Sequence, residues 1–136
     1  MKFQYSDGGR SMYFSGTAEG DCVTRAFSLG LNKSYLEIYE LVNKKSQLEL
    51  NSIKIKGIGK KKKDVSSARG GVYPKTIRKI ADHFGLKFKA RVGEVGKLKG
   101  KNYLVLLAEH MTCIRDGILL DTHDCSDLEY YGYYKL

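Results

Sequence analysis

A nucleophile, a base and an orienting acid can be picked out of this chain as Cys22, His110 and Asp121. Cysteine attacks carbonyl carbon as the thiolate, and the stretch Gly20-Asp21-Cys22-Val23-Thr24-Arg25-Ala26-Phe27-Ser28-Leu29 offers conditions that favour that form. It reads as a tight turn delivering a cysteine to the first turn of a buried helix. Asp21 is a good N-cap, Cys22 falls at the first helical position, and Val23, Ala26, Phe27 and Leu29 lie close to helical spacing. A thiol there meets unpaired backbone N–H groups and the positive end of the helix dipole. A small core residue that happens to open a helix would leave the same local pattern, so the assignment depends on partners about ninety residues downstream.

Those partners come from a hairpin. Asp116-Gly117 separates a strand from about His110 to Arg115 and a second from Ile118 to about Asp121, which is a strong two-residue turn signal. With that loop, Arg115 faces Ile118, Thr112 faces Asp121 and His110 faces His123. Side chains alternate along a strand, so His110, Thr112, Asp121 and His123 share one face, while Cys113 and Leu120 share the other. Asp121 is then a diagonal neighbour of His110, where a carboxylate can hold the ring in one tautomer and stabilise its protonated form. An ordinary surface His–Asp pair on a half-exposed hairpin would carry the same residues.

Other chemistries fit less well. His110, Cys113, His123 and Cys125 contain enough ligand types for zinc, but they lack paired spacings, and strand alternation separates Cys113 from His110. No metal or other cofactor is implied. Gly57-Ile58-Gly59-Lys60 lacks the spacer and the Ser or Thr of a phosphate-binding loop. The net charge of +9 invites a nucleic-acid reading, yet six of those charges come from Lys54, Lys56 and Lys60, Lys61, Lys62 and Lys63. With a lysine-rich strand near Lys87 to Arg91, that segment is a candidate site for nucleic acid or an acidic protein, although no aromatic residue interrupts Lys54 to Lys63.

The elements that must position these residues follow from pattern. A 136-residue chain with 42% hydrophobic content suits a single domain over residues 1–136. Three cysteines without a secretory pattern argue against a disulfide framework, and with no transmembrane run the expected setting is a reducing cytoplasm, away from membranes. A short strand at Lys2 to Tyr5 precedes a Gly- and Ser-rich segment and the cysteine helix, which should stop at Gly30. Ser34 and Glu37 form a capping box for a second helix reaching about Gln47 or Leu50. Residues 51–71 read as a mobile basic loop, or a loose hairpin about Gly57 to Gly59.

A third helix begins near Pro74, buries Ile77, Ile80, Ala81 and Phe84, and ends at Gly85. It looks like the first helix of a helix-turn-helix reader, but Leu86, Phe88, Ala90 and Val92 alternate with cations as a strand does, where a recognition helix would be needed. Tyr103 to Leu107 reads as a buried strand, and Tyr130, Tyr131, Tyr133 and Tyr134 close the sheet. The fold class is therefore α+β, with about three helices followed by an antiparallel sheet of four or five strands.

Gly20-Asp21-Cys22 at a helix start, a basic and turn-rich middle, and Glu109-His110-Met111-Thr112-Cys113-Ile114-Arg115-Asp116-Gly117-Ile118-Leu119-Leu120-Asp121-Thr122 together resemble a small papain-like cysteine peptidase domain. The nearest resemblance is to the C39-like and related short peptidases of bacteria and their phages. It implies a papain-like fold, Cys22 as nucleophile, His110 as general base and acid, Asp121 as orienting carboxylate, and a protein or peptide substrate. The same chemistry also serves deamidation and transglutamination. Many relatives carry a glutamine a few residues before the cysteine, where this chain has Gly16, Thr17, Ala18 and Glu19. Gln4, the Thr17 hydroxyl and the Cys22 N–H are the candidate oxyanion donors, with Asp21 in support.

Overall fold

Helix α1 (Cys22–Leu31) lies against the middle of a sheet, and its contact is close because Gly30 has no side chain. A Cβ at Gly30 would stand 2.6 Å from Leu104 Cδ2 and 3.0 Å from Leu136 Cδ1. Close approach therefore accounts for this glycine. The left-handed residue that ends the helix is Asn32, at φ 53°, whose N–H returns to the Ser28 carbonyl, so the expected stop at Gly30 falls two residues early.

The structure, a computed structural model, describes residues 1–15, 20–55 and 67–136. Strand β1 (Lys2–Tyr5) comes first, then a 3-10 turn at Arg10–Met12, α1, α2 (Tyr35–Ile55) and α3 (Pro74–His83). Five strands follow: β2 (Phe88–Glu94), β3 (Tyr103–Leu107), β4 (His110–Arg115), β5 (Ile118–Asp121) and β6 (Glu129–Lys135). The six form one open sheet in the order β1-β5-β4-β3-β6-β2. The sheet has one strand more than the sequence suggested, and it is not wholly antiparallel. Strand β1 arrives from the far side of the helices and pairs parallel with β5, Lys2 opposite Ile118 and Tyr5 opposite Asp121.

The capping box is half formed: the Glu37 N–H donates to Ser34 Oγ at 3.1 Å, while the Glu37 carboxylate turns to Lys33 Nζ at 3.4 Å. Helix α2 continues through residues 51–55, where the sequence pattern predicts the start of the basic loop. At the other end of that loop, Ser67 and Gly71 close a tight turn. The hairpin considered about Gly57 to Gly59 lies outside the described residues, as do Lys60, Lys61, Lys62 and Lys63. Helix α3 starts at Pro74, buries Ile77, Ile80 and Ala81, and is followed by Gly85 at φ 70°.

The helices share one face of the sheet. Val23, Ala26, Phe27, Ile38, Val42 and Ile80 pack there on Leu104, Leu106, Met111, Cys113 and Tyr134. On the opposite face, Val105, Leu107, Ile114, Leu119, Tyr130 and Tyr133 are covered by Val95 from a 3-10 turn at Val95–Lys97 and by Leu98 and Cys125 from irregular segments. Burial on both faces explains the uninterrupted apolar run of β3. Strand β2 does not show the expected alternation in its burial: it is an edge exposed from Phe88 to Val92, with Phe88 45% and Val92 67% exposed, and a bulge breaks its register between Ala90 and Gly93. Its Lys89 and Arg91, with Lys87 just before it, suit an edge, where charge discourages pairing with another chain.

Candidate active site

The hairpin register places His110. Asp116 and Gly117 take φ 54° and 76°, both left-handed, as a two-residue turn matching the strand twist requires. Arg115 then faces Ile118, and Cys113 faces Leu120, as expected from the sequence. His110 opens β4 after a second tight turn in which Glu109 adopts φ 58°. His110 Nε2 lies 2.7 Å from Asp121 Oδ2, and Asp121 is 2% exposed. Cys113 is buried under the helices, away from this pair, and burial pushes its thiol up to about 12.

Cys22 begins α1 and shares a cleft of about 380 Å³ with His110, walled by Gly20, Gly71, Ile77 and Leu106 among others. Burial alone would raise the Cys22 pKa. The His110 hydrogen bond and charge, the Met111 N–H and the Arg25 charge outweigh it, and the net shift is downward. With Nε2 committed to Asp121, Nδ1 is the ring nitrogen left for another partner. Burial likewise opposes protonation of His110. Hydrogen bonds with Asp121, Cys125 and Cys22, and the Asp121 charge, overcome it and carry the ring up to about 11. Asp121 is held down at about 2 against its burial, first by His110 and then by the nearby Thr112 hydroxyl, itself without a formed hydrogen bond, and the Thr122 N–H. At neutral pH Asp121 is therefore a carboxylate and His110 an imidazolium, and their neighbourhood biases Cys22 toward the thiolate.

Asp21 differs from its expected role. Its backbone carbonyl starts the helix by accepting from Arg25 N–H, but its carboxylate does not cap α1. That carboxylate is fully buried and accepts from Arg10 Nη1 at 3.0 Å, Tyr35 Oη at 2.9 Å and Arg25 Nη1. Arg25 Nη2 reaches on to Asp121 Oδ1 at 3.3 Å. Asp21 thus supports the site from beneath, through a cation, and is no oxyanion donor. Gln4 stands exposed on edge strand β1 opposite Leu120 and does not line the described cleft wall. Thr17 lies outside the described residues. What remains as donors in the cleft wall are the first N–H groups of α1, at Cys22 and Val23.

Arg10, Arg25 and Tyr35 were missed by sequence reasoning, and Cys125 entered it only as a possible zinc ligand. The Asp21–Arg25 pair has i,i+4 spacing and could have been read from the helix pattern. Nothing local predicts Arg10, Tyr35 or Cys125, which arrive through tertiary packing. His123 remains exposed, its ring centroid 4.7 Å from that of His110 and its Nδ1 4.0 Å from Asp121 Oδ1.

Cys125 Sγ lies 3.8 Å from Asp121 Oδ2, and with His110 these atoms lie within 4.8 Å of one another. Such a trio has the donor types of a zinc site. Two ligands of one tetrahedral zinc stand about 3.3 Å apart, however, so the 2.7 Å between His110 and Asp121 is the span of a shared proton. The Arg25 guanidinium beside the carboxylate further opposes a cation. The trio is a hydrogen-bonded cluster. No helix among the described residues is long and apolar enough to cross a membrane. Comparison of the chain with family models, with curated proteins and with solved structures gives no match in any of the three.

Proposed function

We propose that this α+β domain is a papain-like thiol hydrolase that cleaves a peptide or other amide bond through a thioester on Cys22. The observation that carries this reading is the His110 ring, 2.7 Å from the buried Asp121 carboxylate and lining the same accessible cleft as Cys22 at the start of α1. In the first step the Cys22 thiolate attacks the carbonyl carbon, and α1 N–H groups donate hydrogen bonds to the developing oxyanion. His110 then gives its proton to the departing nitrogen as the C–N bond breaks. In the second step His110 takes a proton from water, the hydroxyl adds to the thioester, and the C–S bond breaks to return the thiolate and release an acid. An amine in place of water would give a new amide, so deamidation and acyl transfer share the first half of the reaction. The cleft walls at Val72, Ile77, Leu106 and Met111 favour an apolar side chain beside the scissile bond. We also propose that the lysines from Lys54 to Lys63 dock an acidic partner, either nucleic acid or an acidic protein surface, and that the enzyme works in the cytoplasm.

The test is incubation with a proteome-derived peptide mixture in 18O-labelled water, read by mass spectrometry. Wild type should generate new carboxyl termini carrying the label, and Cys22→Ala should generate none. Cleavage that survives in Cys22→Ala, or no modified peptide with wild type, overturns the reading. New amides formed only when an amine is added would assign acyl transfer.

A further inference from the structure

We infer that Arg25 is a positioning residue for the proposed thiol chemistry, fixing the Asp121 carboxylate and setting the pH window in which Cys22 and His110 work. The inference rests on the thiol-hydrolase reading and adds to it a residue that touches none of the reacting atoms. Arg25 lies one helical turn beyond Cys22 on α1, is 6% exposed, and divides its guanidinium between two buried carboxylates. Nη1 donates to Asp21 Oδ1, and Nη2 to Asp121 Oδ1 at 3.3 Å. With the Thr122 N–H at 2.7 Å on that same oxygen, Oδ1 is occupied, and Oδ2 is left to His110. Arg25 therefore dictates which carboxylate oxygen faces the imidazole.

The charges around it define the consequence. Asp21 at the start of α1, Arg10 from the 3-10 turn, Tyr35 from α2, Asp121 from β5, His110 from β4, and Cys125 and His123 beyond β5 all gather about this pair. Tyr35 is kept neutral by burial and by the Asp21 charge. Two carboxylates and two guanidiniums then cancel, and the Cys22–His110 ion pair stands on an electrically balanced base. Loss of the Arg25 charge leaves that base negative, which favours the protonated forms of both Cys22 and His110. Loss of the Asp21 charge leaves it positive and does the opposite. Simple structural damage would lower rates at every pH without moving the window.

The experiment measures the iodoacetamide alkylation rate of Cys22 in the full chain from about pH 4 to about pH 10, alongside the maximum rate of peptide cleavage. Arg25→Gln should move the alkylation midpoint upward by about 1–3 units. Arg25→Lys, which keeps the charge and loses the fork, should hold the midpoint and lower the maximum rate. Asp21→Asn should move the midpoint downward. An unmoved midpoint in Arg25→Gln, or Arg25→Gln and Asp21→Asn shifting in the same direction, overturns the inference. Should Arg25→Gln not fold, as circular dichroism would show, an unmoved or raised midpoint in Asp21→Asn does so. If wild-type Cys22 reacts no faster than Cys113 and Cys125, the hydrolase reading itself fails.

Discussion

Replacing Asp121 by Asn should cost stability in a pH-dependent way that follows from its surroundings. The carboxyl sits at about 2 in the fold against 3.8 when free. Ionised, it therefore contributes about 2 kcal/mol. Because the folded value is the lower one, this contribution is complete above the free value and is lost as pH falls through about 2. About half of it remains at pH 3. The substitution also removes a charge partner from Arg25 and from His110, and breaking a buried pair costs about 3–5 kcal/mol.

His110 does not blur the comparison. Its folded value is raised, so its contribution is whole below 6.5 and fades only as pH climbs toward about 11. Urea denaturation at about pH 6 should thus show Asp121→Asn less stable by about 3–5 kcal/mol, and repetition at about pH 3 should narrow the gap by about 1 kcal/mol. A gap under about 1 kcal/mol at the higher pH, or one that widens in acid, would refute the claim that the fold holds this carboxylate ionised and paired.

Two further outcomes are expected. Gly30→Ala should destabilise the protein by about 1–3 kcal/mol in thermal or urea denaturation, because the new methyl must displace Leu104 and Leu136 from the joint between α1 and β3. Replacing Lys60, Lys61, Lys62 and Lys63 with serine should leave the melting temperature nearly unchanged while weakening binding to polyanions, and added salt should mimic the substitution on the wild type. A wild-type protein with no salt-sensitive binding to nucleic acid or acidic proteins would remove the docking role.

Local chemistry made part of this architecture readable. Asp116-Gly117 admits essentially one hairpin register, and once the register is known the period of two brings His110 and Asp121 to the same face. Pro74 and Gly85 bracket α3 because each has a backbone preference that few residues share. What escaped was decided by tertiary contact. Asp21 looked like a cap because its type and position suit one, but two guanidiniums and a tyrosine hydroxyl compete for the same oxygens and win.

Gly30 looked like a helix stop, and its real task is to let a helix approach a strand. The parallel docking of β1 beside β5 joins residues more than a hundred positions apart, which no local period encodes. Strand β2 showed the alternation of a half-buried strand, yet it became an edge because no element covers that end of the sheet among the described residues.

The central claim, that Cys22 is a thiolate held by His110, is most directly tested by brief iodoacetamide treatment of the native protein at about pH 6, with the modified cysteines mapped by mass spectrometry. Cys22 should be labelled well before Cys113 and Cys125, and His110→Ala should slow it sharply while His83→Ala, on α3, leaves it unchanged. Equal labelling of all three cysteines, or Cys22 labelling that does not depend on His110, would contradict the account.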